Sequence, residues 1–170
     1  MRTLVVAIGQ TATSMERIAV LFILSRTLSQ YDYGTYQQVW LVYQLVLPLF
    51  TLGLPASILY FIPKTEPEQH KTFVFQTVVL LEVVGVIFAA FTFLSAPLFA
   101  RQFNNPALVP LIRIFSIYPL FSLPPKLVNM LLIAREQPIY STVFSILYSV
   151  LLIIFNTAPS LLGLPLEYTL

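Results

Sequence analysis

Few side chains in this 170-residue chain can do chemistry: nine Lys and Arg, seven Asp and Glu, one His and no Cys. Without cysteine there is no disulfide framework, no thiolate metal site and no Cys nucleophile. His70 stands in the polar stretch KTEPEQHK, with no second imidazole to complete a metal site, and reads as a solvated loop residue. No catalytic residue, metal or cofactor is expected. The charges themselves remain, and their placement is uneven. Glu16, Arg17, Glu82, Arg113 and Lys126 fall inside long apolar runs. An ionised group at membrane depth costs a few kcal/mol, so it faces protein or water rather than lipid. Arg17 suits a phosphate, because a planar guanidinium can hold two oxygens at once. Arg113 and Lys126 are further candidate cations. Gln10, Thr13, Ser14 and Arg17 recur at three- and four-residue spacing, which makes one polar stripe on a helix. Two readings of that stripe stand: it faces a wet cavity with Glu16 beside it, or its hydroxyls and amides hold neighbouring helices together.

The elements that must carry these residues are membrane spans. Hydrophobic residues make up 58% of the chain and charged ones 9%, against about 25% charged in a soluble domain. The net charge of +2 and pI near 9.0 come without a basic cluster, so nucleic acid is not a partner. A bilayer core about 30 Å thick takes about 20 apolar residues of helix. On that count the chain reads as all-α: one membrane-embedded unit, a polytopic transmembrane helix bundle of about five spans. They lie at approximately residues 4–28, 35–62, 72–99, 108–134 and 139–158. Glu16 and Arg17 split the first into two pieces too short to cross separately. These read as one helix and not as a cleaved signal, which needs no second apolar run behind its core.

The connections, around residues 29–34, 63–71, 100–107 and 135–138, are short, so successive spans run antiparallel. Arg2, Lys64, Lys71 and Arg135 then gather on one side and Arg26 and Arg101 on the other, which predicts a cytoplasmic N-terminus. Counted from that surface, Glu82 and Lys126 lie about 15 Å and about 12 Å deep, so an ion pair between them is expected. Arg26 and Arg113 lie toward the opposite face, where an arginine can snorkel to headgroups. Tyr31, Tyr33, Tyr36 and Trp40 read as an interfacial aromatic belt. Pro48, Pro55, Pro119, Pro124 and Pro125 are expected to kink their spans, as in bundles that line a cavity or bend in transport.

Two segments, SRTLSQYDYGTYQQVW at residues 25–40 and LGLPASILYFIPK at residues 52–64, resemble the N-terminal signature of polysaccharide biosynthesis proteins of the oligosaccharide flippase family. Its superfamily also holds lipid II flippases and multidrug and toxin extruders. The likeness lies in an Arg ending the first helix, a Tyr-Gly turn opening the second, and a Gly-containing bend leading to Tyr and Pro-Lys. It implies that the chain is the incomplete N-terminal lobe of a two-lobed flippase of about twelve to fourteen helices, rocking between inward-open and outward-open states.

The substrate implied by this resemblance is an undecaprenyl-diphosphate-linked oligosaccharide. It would be moved across a bacterial or archaeal inner (plasma) membrane for capsule, O-antigen, lipopolysaccharide or exopolysaccharide synthesis. Membrane lipids and polysaccharide polymerase machinery are the implied partners. Arg17 and Arg26 would be the cavity cations that meet the diphosphate, with Arg26 inside the matched motif. Family chains run to several hundred residues, so a chain that stops at Leu170 after GLPLEYTL is expected to be a portion of one. Other readings stay open. A cation exporter of the extruder type would use Glu16 as its cavity acid, whereas a membrane scaffold or assembly subunit would pair its buried charges internally and open no polar cavity. An enzyme is not expected, because a membrane glycan polymerase needs acids or bases at the outer interface. There the short connections offer only Asp32.

Overall fold

A computed structural model describes residues 2–164 and Leu166. The residues of GLPLEYTL past Leu166, where the chain was expected to break off before a further span, lie outside the described residues. The chain is all-α: α1 (Arg2–Thr27), α2 (Gln30–Thr51), α3 (Leu54–Phe61), α4 (His70–Gln102), α5 (Leu108–Phe115), α6 (Tyr118–Ala134) and α7 (Pro138–Leu161), with short 3-10 turns at Ile62–Lys64 and Pro67–Gln69. No strand occurs among the described residues.

α4 and α7 are each long and apolar enough to cross a membrane, with mean hydropathies of 2.4 and 2.0. α2 with α3, and α5 with α6, qualify only as joined spans bent by 48° and 41°. α1 has 26 residues, with Gln10, Thr11, Thr13, Ser14, Glu16 and Arg17 set among its apolar ones. Its partner sets its place. Gly9 meets Thr142 and Ser145 near the start of α7, and the Thr27 and Ser160 hydroxyls share a hydrogen bond of 2.9 Å near its end. The two helices therefore run parallel and in step, and a membrane that α7 crosses is one that α1 crosses too.

The buried face of α7 consists of Ser141, Thr142, Ser145, Ser149, Thr157 and Ser160. Small side chains of this kind let helices approach closely where lipid offers no hydrophobic drive for association. At Gly9 the approach is tight enough that a Cβ would lie 3.3 Å from the Thr142 Cα. Thr11, Thr13 and Ser14 on α1 donate their hydroxyls to carbonyls one turn back, which satisfies them inside the helix.

The two bends form where the chain supplies both a stop and a start. α2 ends as Leu52 takes a left-handed conformation (φ 45°) and returns its N–H to the Pro48 carbonyl at 3.2 Å. Gly53 follows at φ 75°, and Pro55 sits in the first turn of α3, where its missing N–H costs nothing. Pro119 likewise opens α6. Pro48, Pro124 and Pro125 lie inside continuous helices, so the breaks fall beside Pro55 and Pro119 and not at every expected proline.

α4 is the spine. One cluster packs Val39, Val42, Tyr43 and Val46 of α2 with Phe88, Ala96 and Ala100 of α4 and Leu108, Leu111, Ile112 and Phe115 of α5. A second joins Ile58 and Ile62 to Leu81 and Leu127. A third sets Val20 and Leu24 of α1 against Tyr36 of α2. α6 links α4 to α7, and α7 carries α1, whereas α1 and α2 touch only sparsely. The gap they leave is the cavity.

Gly9→Val is expected to force the α1–α7 seam apart and lower stability by about 1–3 kcal/mol. Gly34→Ala, which meets nothing within 4 Å and sits in a helix, should raise it by about 0.5–1 kcal/mol. Denaturant unfolding in mixed micelles, followed by helical circular dichroism, reads both.

Candidate functional site

Four helices enclose a cavity of about 350 Å³. α1 contributes Thr13, Glu16, Arg17, Val20 and Leu21, at the three- and four-residue spacing that keeps them on one face. α2 contributes Tyr36, Gln37, Trp40, Tyr43 and Gln44 by the same rule. The second half of the broken span supplies Tyr118, Pro125, Lys126 and Asn129 from α6. α7 supplies Phe144, Ser145, Tyr148, Leu152 and Asn156.

Two chemical zones result. Arg17 from α1 and Lys126 from α6 bring two cations to one space, and Glu16 is the acid beside them. Lys126 Nζ donates to the Tyr43 hydroxyl at 3.5 Å and stands 5.8 Å from the Tyr43 ring centroid. The Tyr43 and Ser122 hydroxyls bond at 3.0 Å, which fixes the phenol that Lys126 meets. Asn129 is held from α7, donating to Ser145 Oγ at 3.0 Å and accepting from Ser141 Oγ. Gln37 donates to the Tyr33 hydroxyl at 3.0 Å. Neither Arg17 nor Lys126 forms an ion pair within the described residues.

The other zone is aromatic. Trp40 packs edge-on against Tyr43, Phe115 and Tyr118, with centroids 5.5, 5.2 and 5.4 Å away. Phe115 and Tyr118 stack at 4.7 Å across the break between α5 and α6. Of the two rings stacked across the bend, Tyr118 also lines the cavity.

The residues singled out from sequence divide between cavity and periphery. Thr13, Glu16, Arg17 and Lys126 line the cavity, whereas Gln10 and Ser14, though exposed, lie outside it. Arg26 is exposed with its guanidinium 4.5 Å from the Phe22 ring centroid, and Arg113 is exposed 5.1 Å from that of Phe93. Such cation–π contacts satisfy a cation from outside the bundle. Glu82 sits on the outer side of α4 among valines, and no ion pair with Lys126 forms. Depth is not the obstacle, since the neighbouring residues Leu81 and Leu127 do pack together. One residue along a helix turns a side chain by about 100°, which carries Glu82 outward and Lys126 into the cavity.

Tyr36 and Trp40 line the cavity instead of forming an outer belt, and Tyr31 reaches across to Asn105 Oδ1 at 2.8 Å. Asn105 Nδ2 donates in turn to Thr35 Oγ1 and Gln38 Oε1, at 3.0 and 2.8 Å, which ties α2 to the turn before α5. Gln37, Gln44, Asn129, Tyr148 and Asn156 escaped attention because they carry no charge. Their signal was present: Gln37 and Gln44 are two turns apart, and Phe144, Tyr148, Leu152 and Asn156 recur every fourth residue.

The family model described as polysaccharide biosynthesis protein matches residues 2–169. No curated protein and no solved structure matches the chain.

A hydrophilic, charged thiol reagent tests whether the cavity is wet. Labelling of Asn156→Cys is expected to be at least about tenfold faster than that of Leu147→Cys, because the reagent's charge is costly to carry into hydrocarbon. Asn156 lines the cavity, and Leu147 is an exposed residue of the same helix outside it. The chain contains no cysteine of its own to confuse the readout.

Proposed function

The chain belongs to the polysaccharide biosynthesis protein family, a membrane protein by its apolar helices, and on that premise we propose that it forms the cargo-binding lobe of an inner-membrane flippase for lipid-linked oligosaccharide. The cargo is of the undecaprenyl-diphosphate type. It travels by alternating access, with no covalent step and with the N-terminus on the cytoplasmic side of a bacterial or archaeal membrane. The carrying observation is the convergence of Arg17 and Lys126 on one cavity. Both side chains are solvent-accessible from that cavity, and two cations converging on one space hold a diphosphate more strongly than either does alone.

The rest of the lining fits the same cargo. Pyranose rings present apolar faces and hydroxyl edges, which the Trp40 and tyrosine wall and the Gln37, Gln44, Asn129 and Asn156 amides complement. Arg26 and Arg113, both outside the cavity, take no part in binding.

Glu16 lines the same cavity and favours a second reading, an extruder-like exporter of organic cations. The cations there outnumber the acid, so an anionic cargo is preferred. A scaffold without transport would not need a cavity of about 350 Å³ between its helices.

The test is export of lipid-linked glycan to the outer leaflet, with the protein as its gene encodes it in cells lacking the native copy. Arg17→Ala and Lys126→Ala are each expected to reduce export by about tenfold or more, the worth of a charged hydrogen bond. Arg26→Ala and Arg113→Ala should leave it near the starting level. Normal export in the Arg17→Ala, Lys126→Ala double variant would overturn the assignment. Export that instead fails in Glu16→Gln alone, together with efflux of organic cations, would establish the extruder reading.

A further inference from the structure

The cavity has two ends, and they differ chemically. α1 and α7 run in step: Gly9 meets Thr142 and Thr27 bonds Ser160, the two pairs sharing one offset in sequence. That register sets Arg17 level with Val150, about 9 Å short of Asn156 along α7. Asn129, one turn from Lys126, is tied to Ser141 and Ser145 and marks the end nearer the cations. At the other end Tyr36 packs against Val20 and Leu24, which brings Gln37 beside it into the same layer as Asn156. Both amides line the cavity.

The hydrogen bonds inside the wall decide what each amide can still offer. Asn156 Nδ2 donates to the Leu152 carbonyl at 2.8 Å. A backbone carbonyl only accepts, so the nitrogen is fixed there and Oδ1 is left for another partner. Gln37 Nε2 donates to the Tyr33 hydroxyl at 3.0 Å, which leaves Oε1 in the same position. Neither oxygen has a partner among the described residues, and neither is a buried unsatisfied atom, so both are open to an incoming donor. Asn129 differs, because serines engage both its nitrogen and its oxygen.

We propose that Gln37 and Asn156 form a hydroxyl-reading pair, whose two amide oxygens accept the O–H donors of the sugar nearest the diphosphate; the role rests on Arg17 and Lys126 holding that diphosphate. An ionised diphosphate presents only acceptors, as the two amide oxygens do, so it gains nothing at their end. The sugar linked to it carries donors, and a step of about 9 Å beyond Arg17 is where that ring lies. A site built to pair with hydroxyls rejects a sugar that lacks them, because its own acceptors are then covered and left unpaired. Glycans alkylated or deoxygenated at those positions are therefore poor cargo.

The experiment measures equilibrium binding to the protein as its gene encodes it, in lipid nanodiscs. Three probes are compared: undecaprenyl diphosphate alone, the lipid-linked glycan extracted from cells that lack the protein, and that glycan O-methylated. Methylation is expected to weaken binding about tenfold, the worth of two neutral hydrogen bonds. In the Gln37→Met, Asn156→Leu double variant, which keeps side-chain bulk and loses both acceptors, methylation should cost less than about twofold. Each single substitution, a milder change to the fold, should leave a loss of about threefold. No effect of methylation on the unaltered protein, or an equal loss in the variants, would overturn the hydroxyl-reading pair. The bare carrier separates the two assignments. If its binding is unchanged in Arg17→Ala, Lys126→Ala, the diphosphate reading fails and this one with it; if it depends on both cations while methylation has no effect, the hydroxyl-reading pair alone fails.

Discussion

Hydrocarbon gives a polar side chain nothing to bond, and α1 enters the bundle with Gln10, Thr11, Thr13, Ser14, Glu16 and Arg17 in little more than two turns. It can do so because α7 runs parallel beside it from Gly9 to Thr27. The seam works through small residues: glycine on one side and serines and threonines on the other permit close approach and leave few hydroxyls unsatisfied. With one face committed to α7, Thr13, Glu16 and Arg17 line the cavity, while Gln10, Thr11 and Ser14 stay exposed outside it. Arg17 reaches the cavity by way of this seam, and the cavity exists because α1, held there, leaves α2 at a distance.

The broken spans complete the site. A straight fourth span would carry Lys126 along the same line as Leu108. The 41° bend gives α6 its own direction, with Leu123 and Leu127 directed into the core and Lys126 into the cavity. The aromatic rings at the bend serve both purposes, since Phe115 and Tyr118 stack across the break while Tyr118 and Trp40 face the space it opens. Cavity shape and helix geometry are therefore set by the same group of rings.

Much of this was legible along the chain. Apolar runs marked the helices, and prolines, glycines and asparagines marked where they end, as at Gly53, Pro55, Asn104 and Pro138. The spacing of Thr13 and Arg17 placed both on one face, and both reach the cavity. Helical phase was harder to read. Glu82 and Lys126 were matched in depth, yet the core chose Leu81 and Leu127, because apolar packing fills the contact and the adjacent charges turn away from it. Sequence could not say which way Arg26 and Arg113 face; in the structure each guanidinium lies over a ring, that of Phe22 or Phe93.

Composition by itself determined the solvent: 9% charge and 58% hydrophobic residues admit a membrane and little else, and the hydrogen-bonding demand of hydrocarbon then makes the chain helical. Local signals likewise determined where helices start and stop, because caps and turns depend on neighbours in sequence. Only the tertiary structure decided which charges converge. That choice depends on how each helix is rotated about its axis, and rotation is set by contacts between residues far apart in the chain, such as Gly9 with Thr142 or Leu81 with Leu127. A turn of about 100° separates neighbouring residues on a helix, enough to send Lys126 into the cavity and Glu82 out to the bilayer face.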